Sequence, residues 1–237
     1  MRFLAFLFAA FLIGPMALAQ APTAEKIEFK PSAEHPIETL AVLGVRATRR
    51  FVVQNGNPAG TAIGVDIDKK SAEYVEALGR RGITLAPELA RELHRQLGRK
   101  FKVVWYTGRV PLKADKTPDY EKIPIEADAI LHVFYGQVGY YAPSADSSYF
   151  PLVQLGARMV DRKSWQTVYY SQLAYRPPGW RAQVLYYAAD ADPRYGFANF
   201  EALMAGFERS VEGLVLGQNR LAARIAHDLG VPEKKGE

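Results

Sequence analysis

Four histidines, a scatter of carboxylates and a dense run of tyrosines are the residues of this 237-residue chain that could do chemistry. The histidines are His35, His94, His132 and His227. None lies in an HExxH or comparable spacing, so no helix face presents two imidazoles to a metal. His132 falls inside a strand-like run, where a hydrogen-bonded structural imidazole is expected. His94 sits on the polar side of a helical pattern, and His227 lies near a helix end, where a cation suits the dipole. No serine is flanked by the glycines of a GxSxG elbow. Glu121, Glu126 and Asp128 cluster ahead of a strand, but nothing sets two of them across a glycosidic bond. Asp190 and Asp192 have the spacing of a calcium loop's start without its glycine or closing glutamate. Gly56, Gly60 and Gly64 make neither GxGxxG nor a P-loop. The chain has no cysteine, which excludes disulfides, thiolate nucleophiles and cysteine-ligated metals. The residues therefore predict a non-enzyme with no cofactor and no metal.

The aromatic residues are more informative. Ten of the 13 tyrosines lie between Tyr135 and Tyr195, and Trp165 and Trp180 join them. Flat rings beside Gln and Arg suit sugar faces or extended peptides. The candidate binding residues are Tyr140, Tyr141, Tyr149, Arg158, Tyr170 and Trp180. The competing reading is that aromatic side chains favour strands and simply fill a sheet. Basic charge with aromatic rings also resembles single-strand nucleic-acid surfaces. An export leader and the absence of a basic cluster along this stretch argue against nucleic acid.

The elements that would position these residues follow from periodicity. Residues 127–176 read as a three-stranded antiparallel meander. In its first strand Leu131, Val133 and Tyr135 alternate with Ile130, His132 and Phe134, and Gly136 and Gly139 permit a bulge. In its second, Val153, Leu155, Ala157 and Met159 form the apolar face. The third begins at Trp165, after a turn at 161–164, and ends before Pro177-Pro178. Upstream, 40–45 and 51–53 are strands, the first buried and the second near an edge, and 64–68 is strand-like. Helices are expected at 71–78, capped by Ser71, and at 84–97, where Leu85, Leu89, Leu93 and Leu97 make one stripe. Residues 101–106 are a strand, and 107–128 is a long connection, either a functional lid or disordered. Residues 181–187 fit a strand or a helical turn, and 188–193 a turn. A strong helix starts at 199, with a bend allowed at Gly217, and ends at Gly230. No repeat of solenoid length is present. The order predicts an α+β fold: a single two-layer domain with a mixed, largely antiparallel sheet, the central meander, helices on one face and a long C-terminal helix.

Residues 1–19 read as a signal peptide: Arg2, an apolar run at 3–14, and Ala17-Leu18-Ala19 ahead of Gln20. The run is shorter than the about 20 residues of a membrane span. Residues 20–37 form an extended lead-in, 38–230 the domain and 231–237 a polar tail. The net charge of +5 falls to +4 when Arg2 leaves with the leader. That excess is modest; it could favour anionic surfaces, but it also fits scattered surface Lys and Arg. A periplasmic or secreted protein, without an integral span after cleavage, is expected.

Three segments resemble a group of bacterial envelope α/β domains: those of the curli-secretion lipoprotein, the penicillin-binding-protein activator lipoproteins and the N-terminal domain of the Tol translocation protein. They are LAPELARELHRQLGRKFKVVWY (85–106), the strands AILHVFYGQVGYY and LVQLGARMVDRKSWQTVYYSQ (152–172), and the closing LAARIAHDLG (221–230). The chain departs from the lipoproteins in lacking a lipobox cysteine, so the resemblance implies no anchor and no pore. It implies a non-catalytic envelope domain that binds an envelope protein or a cell-wall glycan. A hydrolase of envelope material and an orphan structural domain are the alternatives.

Overall fold

The computed structural model describes residues 25–32, 34–46, 48, 51–55, 62–144, 146–180 and 185–232, with only the backbone for 62–68. The leader, the start of the lead-in and the end of the polar tail lie outside the described residues. So do residues 181–184.

The meander read from the sequence is the centre of the fold. Strands β4 (Ala129–Ala142), β5 (Phe150–Asp161) and β6 (Thr167–Arg176) pair antiparallel and carry the longest ladders. The flanking strands β1 (Thr39–Leu43), β2 (Phe51–Asn55), β3 (Lys102–Tyr106) and β7 (Tyr187–Asp190) join them in parallel, giving a mixed sheet of seven strands. Both β1 and β2 pair in parallel with β4, β1 at its first residues and β2 at its last. They lie end to end along one edge, and the β4–β5 register shifts between Tyr135 and Val138, level with the gap between them. Gly139, at φ 148°, closes that bulge. A Cβ there would come within 1.9 Å of the Val52 carbonyl oxygen, so only glycine fits.

The described residues form four α-helices: α1 (Ala62–Arg80), α2 (Leu85–Leu97), α3 (Phe200–Ala205) and the long C-terminal α4 (Phe207–Asp228). Leu89, Leu93 and Leu97 of α2, Tyr74 of α1, and Leu214, Leu221 and Ile225 of α4 share one buried cluster. With them are Leu40, Leu131, Val133, Leu155, Ala157, Met159 and Leu173 of the sheet. Each such side chain removed from water stabilises the fold by about 1.5–3 kcal/mol. The α2 stripe at intervals of four and the alternation in β4 and β5 are thus two halves of one core.

Several local expectations are corrected. Residues 64–68, read as a strand, belong to α1, and Ser71 is inside that helix instead of capping it. The Ser71 hydroxyl accepts the Val53 N–H at 2.9 Å, so the polar side chain serves β2. Gly217 does not bend the last helix. It is buried against the Tyr175 ring, where a Cβ would come within 2.4 Å, so it lets α4 lie close on the sheet. The break falls at Gly206 instead. The third meander strand begins at Thr167, because Trp165 adopts φ 58° and turns its ring to the other face. Residues 187–190, within the stretches left ambiguous or read as a turn, form β7.

The 107–128 connection is ordered and packs on the sheet. Ile123 packs with Ala41, Leu43 and Ile130 in a second buried cluster, ringed by Tyr106, Val110, Tyr120, Ile125, Ala127 and Trp165. The segment covers the helix-free face of the sheet at its β3–β1–β4 end. Asp128 anchors its return: one carboxylate oxygen accepts the N–H groups of Glu38 and Thr39 at 2.9 and 2.7 Å.

Candidate functional site on the open sheet face

Beyond the 107–128 segment, no helix of the described residues covers the second face of β4, β5 and β6. The antiparallel registers fix what stands there. His132 of β4 lies opposite Arg158 of β5, and Arg158 lies opposite Tyr170 of β6. One row thus runs imidazole, guanidinium, phenol across three strands. Two residues along each strand, the next row is Phe134, Gly156 and Gln172.

The first row is a donor row in that its centre is the Arg158 guanidinium, a group that only donates. The Arg158 guanidinium stands 5.2 Å from the centre of the Tyr170 ring. Its charge also acts on the hydroxyl of Tyr120, which reaches over from the 107–128 segment. The Tyr120 hydroxyl lies 3.1 Å from Nδ1 of His132. Burial, reinforced by Arg158 and Arg46, pushes the His132 imidazole down to about 4, so it is neutral at pH 7. The neutral ring carries a single N–H and shares its Nδ1 with the Tyr120 hydroxyl. Burial also raises the Tyr120 phenol, which keeps it protonated. Among the described residues no carboxylate pairs with Arg158.

The second row is apolar and hollow. Gly156 has no side chain, and the Phe134 ring lies across it, so that a Cβ there would come within 2.3 Å of the ring. Phe134 remains 39% exposed, one of the few large hydrophobic side chains to do so. Beside it Gly136, Gly156, Gln154, Gln172 and Leu185 line a hollow of about 330 Å³. The Gln172 amide donates to the Tyr170 hydroxyl at 2.7 Å, which ties the hollow to the donor row. Tyr186 packs edge-on against Tyr170 with ring centres 6.3 Å apart.

The six residues named from the sequence separate into three groups. Arg158 and Tyr170 come together on this face, although Tyr170 is only 7% exposed and acts as a platform under the guanidinium. Tyr141 and Trp180 meet edge-on, ring centres 6.3 Å apart, at the far end of β4. Tyr140 and Tyr149 are core residues and do not belong to a binding surface. Tyr140 points at the helices, packs on Tyr74 and Phe197, and donates its hydroxyl to the Ser210 carbonyl at 2.8 Å. Tyr149, 4% exposed, is fixed by reciprocal backbone hydrogen bonds with Phe197. The alternation of β4 placed Tyr140 with the core once the bulge added a residue before Val138.

Tyr120, His132, Phe134 and Gln172 were not nominated. The alternation put His132 and Phe134 on the face opposite the core, but only the register against Gly156 and Arg158 gives them neighbours. The other histidines are dispersed. His94 accepts from the Trp105 indole at 3.0 Å, His35 lies 3.0 Å from the Lys163 amine, and His227 is 3.7 Å from Asp228. No group of three metal-ligating side chains forms among the described residues, and Asp128 is engaged with the backbone of β1.

No protein-family model matches the sequence, and no curated protein matches it. Solved structures similar in overall course include a DUF330-family protein of Xanthomonas campestris, with 10% identity over 84% of this chain and 89% of that one, at a TM-score of 0.41. The PelC dodecamer of Paraburkholderia phytofirmans is similar at 12% identity over 88% and 97% of the two chains, with a TM-score of 0.36. Lipoprotein GNA1162 of Neisseria meningitidis matches at 14% identity over 58% and 81%, with a TM-score of 0.22. No named family answers to the specific resemblance drawn from the sequence. The structures it is similar to do include a bacterial lipoprotein. No helix among the described residues is long and apolar enough to cross a membrane.

Proposed function

We propose that this protein is an exported, non-catalytic domain that binds a cell-wall or other envelope component on the open face of its sheet. One observation carries the reading: Arg158, unpaired with any carboxylate among the described residues, stands beside an exposed Phe134 and a hollow floored by Gly156. Exposed rings beside buried-stem cations and amides are the composition of a recognition surface. The dispersal of the histidines and the structural engagement of Asp128 support a binding role over hydrolysis. Export rests on the leader at 1–19.

Co-sedimentation with purified peptidoglycan sacculi tests the reading directly. The full chain is expected to pellet with sacculi, and Phe134→Ala to reduce the pelleted fraction at least several-fold while folding normally. Equal pelleting of the two proteins, or none above background for either, would overturn it.

A further inference from the structure

The face has two unlike subsites side by side, and together they specify more than a generic ligand. The first is the donor row. Arg158 offers a guanidinium held over the Tyr170 ring, and His132 stands opposite it in the register with its Nδ1 on the Tyr120 hydroxyl. Exposed Arg46, whose charge also acts on His132, adds to the positive potential. The groups around His132 are therefore Tyr120 from the connection, Arg158 from β5 and Arg46 after β1, with the Phe134 ring at 5.3 Å and no carboxylate among those acting on it. A guanidinium with no carboxylate beside it among the described residues is complementary to an anion, and its fork favours a planar, two-oxygen one.

The second subsite is the hollow. Phe134 gives a flat apolar surface, and Gln154 and Gln172 give amides that donate and accept. That pairing suits the apolar face and the hydroxyl rim of a pyranose ring. The two rows are two residues apart along each strand, about 7 Å. This is the reach from one sugar ring to a carboxylate on it or on its neighbour.

We propose that the open face binds an acidic saccharide, its carboxylate on Arg158 and His132 and a sugar ring on Phe134. The inference rests on the reading of this face as a binding surface, and it adds the chemical class of the ligand. Binding an anion beside His132 favours the protonated imidazole, so the histidine titrates higher in the complex than in the free protein, and affinity rises as pH falls.

The test uses the full chain, calorimetric titration and the His132 ring signals in NMR. The probes are the disaccharide of N-acetylglucosamine and N-acetylmuramic acid, neutral N,N′-diacetylchitobiose (below, chitobiose), which lacks its lactyl carboxylate, tetragalacturonate, and inorganic phosphate. At least one acidic saccharide is expected to bind about tenfold or more tighter than chitobiose. Arg158→Gln should remove that preference, and Arg46→Gln, at an exposed position that leaves the fold intact, should weaken it about threefold. The His132 titration midpoint should rise on binding. Which of the two acids binds tells a cell-wall carboxylate from a uronic-acid polymer. Equal binding of acid and chitobiose, both lost in Phe134→Ala, would overturn the inference while leaving the face as the binding surface. Phosphate binding as tightly as the acids, or no binding by either acid, would also overturn it. Sacculus co-sedimentation then decides the broader reading separately.

Discussion

The two faces of the central sheet are built from the same three strands and are opposite in nearly every physical respect. The face towards α1, α2 and α4 is filled by Leu131, Val133, Leu155, Ala157, Met159 and Leu173, and its tyrosine hydroxyls find partners inside the protein. The other face carries His132, Phe134, Gln154, Arg158 and Gln172, with glycine at 136 and 156 where the core face carries side chains. The first face spends its side chains on stability, because most of them are buried against one another. The second leaves rings and cations partly wet, which contributes little to folding and keeps them available. Tyrosine is abundant on both, so aromatic content alone cannot tell a core from a binding surface.

The largest effect should come from breaking the dry face. Leu131 has no exposed surface and sits between β1 and β5 beneath the helices. Leu131→Ala removes its buried methyl groups and leaves a cavity that flanking strands cannot collapse to fill, at a cost of about 3 kcal/mol. Urea unfolding of the two proteins measures this. A loss below about 1 kcal/mol would mean that the helices do not close on this strand as tightly as the packing implies.

Next in size is a titration on the wet face. The His132 imidazole is held at about 4, against an ordinary 6.5, first by burial and then by Arg158 and Arg46. The unfolded chain therefore takes up a proton between pH 6.5 and 4 that the folded chain refuses. The resulting stability is complete above pH 6.5 and is lost as pH falls towards 4. Each pKa unit is about 1.4 kcal/mol, so the loss is on the order of 2 kcal/mol. The stability difference between wild type and His132→Gln, measured by urea unfolding from pH 7 to pH 4.5, should move against the wild type by that amount. A difference independent of pH would show that the imidazole is not desolvated.

Much of this contrast was legible in the sequence, and the limits have physical causes. The alternation of Leu131, Val133 and Tyr135 against Ile130, His132 and Phe134 assigns both faces of β4 correctly, since side chains on a strand alternate strictly. The stripe of leucines in α2 does the same for a helix. Tyr140 defeats the alternation because the bulge between Tyr135 and Val138 resets it, and a glycine allows a bulge without announcing its length. Ser71 and Gly217 misled because each has a local meaning, a cap and a bend, that a tertiary contact overrides: the Val53 N–H in one case and the Tyr175 ring in the other. The donor row could not be read at all. It needs His132, Arg158 and Tyr170 in register and Tyr120 folded back across 12 residues, and register is a property of paired strands.

A smaller effect separates the two roles of tyrosine. The Tyr140 hydroxyl donates to the Ser210 carbonyl in a fully buried setting. Tyr140→Phe keeps the ring packed on Tyr74 and Phe197 and deletes one hydrogen bond, which should cost about 1 kcal/mol. Sacculus binding should be unchanged, because no atom of this residue reaches the open face. A variant of normal stability with reduced binding would return Tyr140 to the recognition surface and erase the distinction between the faces.

The smallest effect on stability sharpens the comparison most. Phe134 is attached to the same strand as Leu131, three residues on, but its ring lies on the outside over Gly156. Truncating it forfeits a cross-strand contact with a glycine and part of the packing on His132, where such pairs contribute about 0.2–1 kcal/mol. The ring's exposed fraction already faces water, so its removal leaves no closed cavity of the kind that penalises Leu131→Ala. Phe134→Ala should therefore unfold within about 1 kcal/mol of wild type in urea while losing most of its binding to sacculi. A destabilisation near that of Leu131→Ala would mean that the ring is structural and that the open face is a second core waiting for nothing. A near-silent change in stability with a large change in binding is the signature of a side chain held out for a partner.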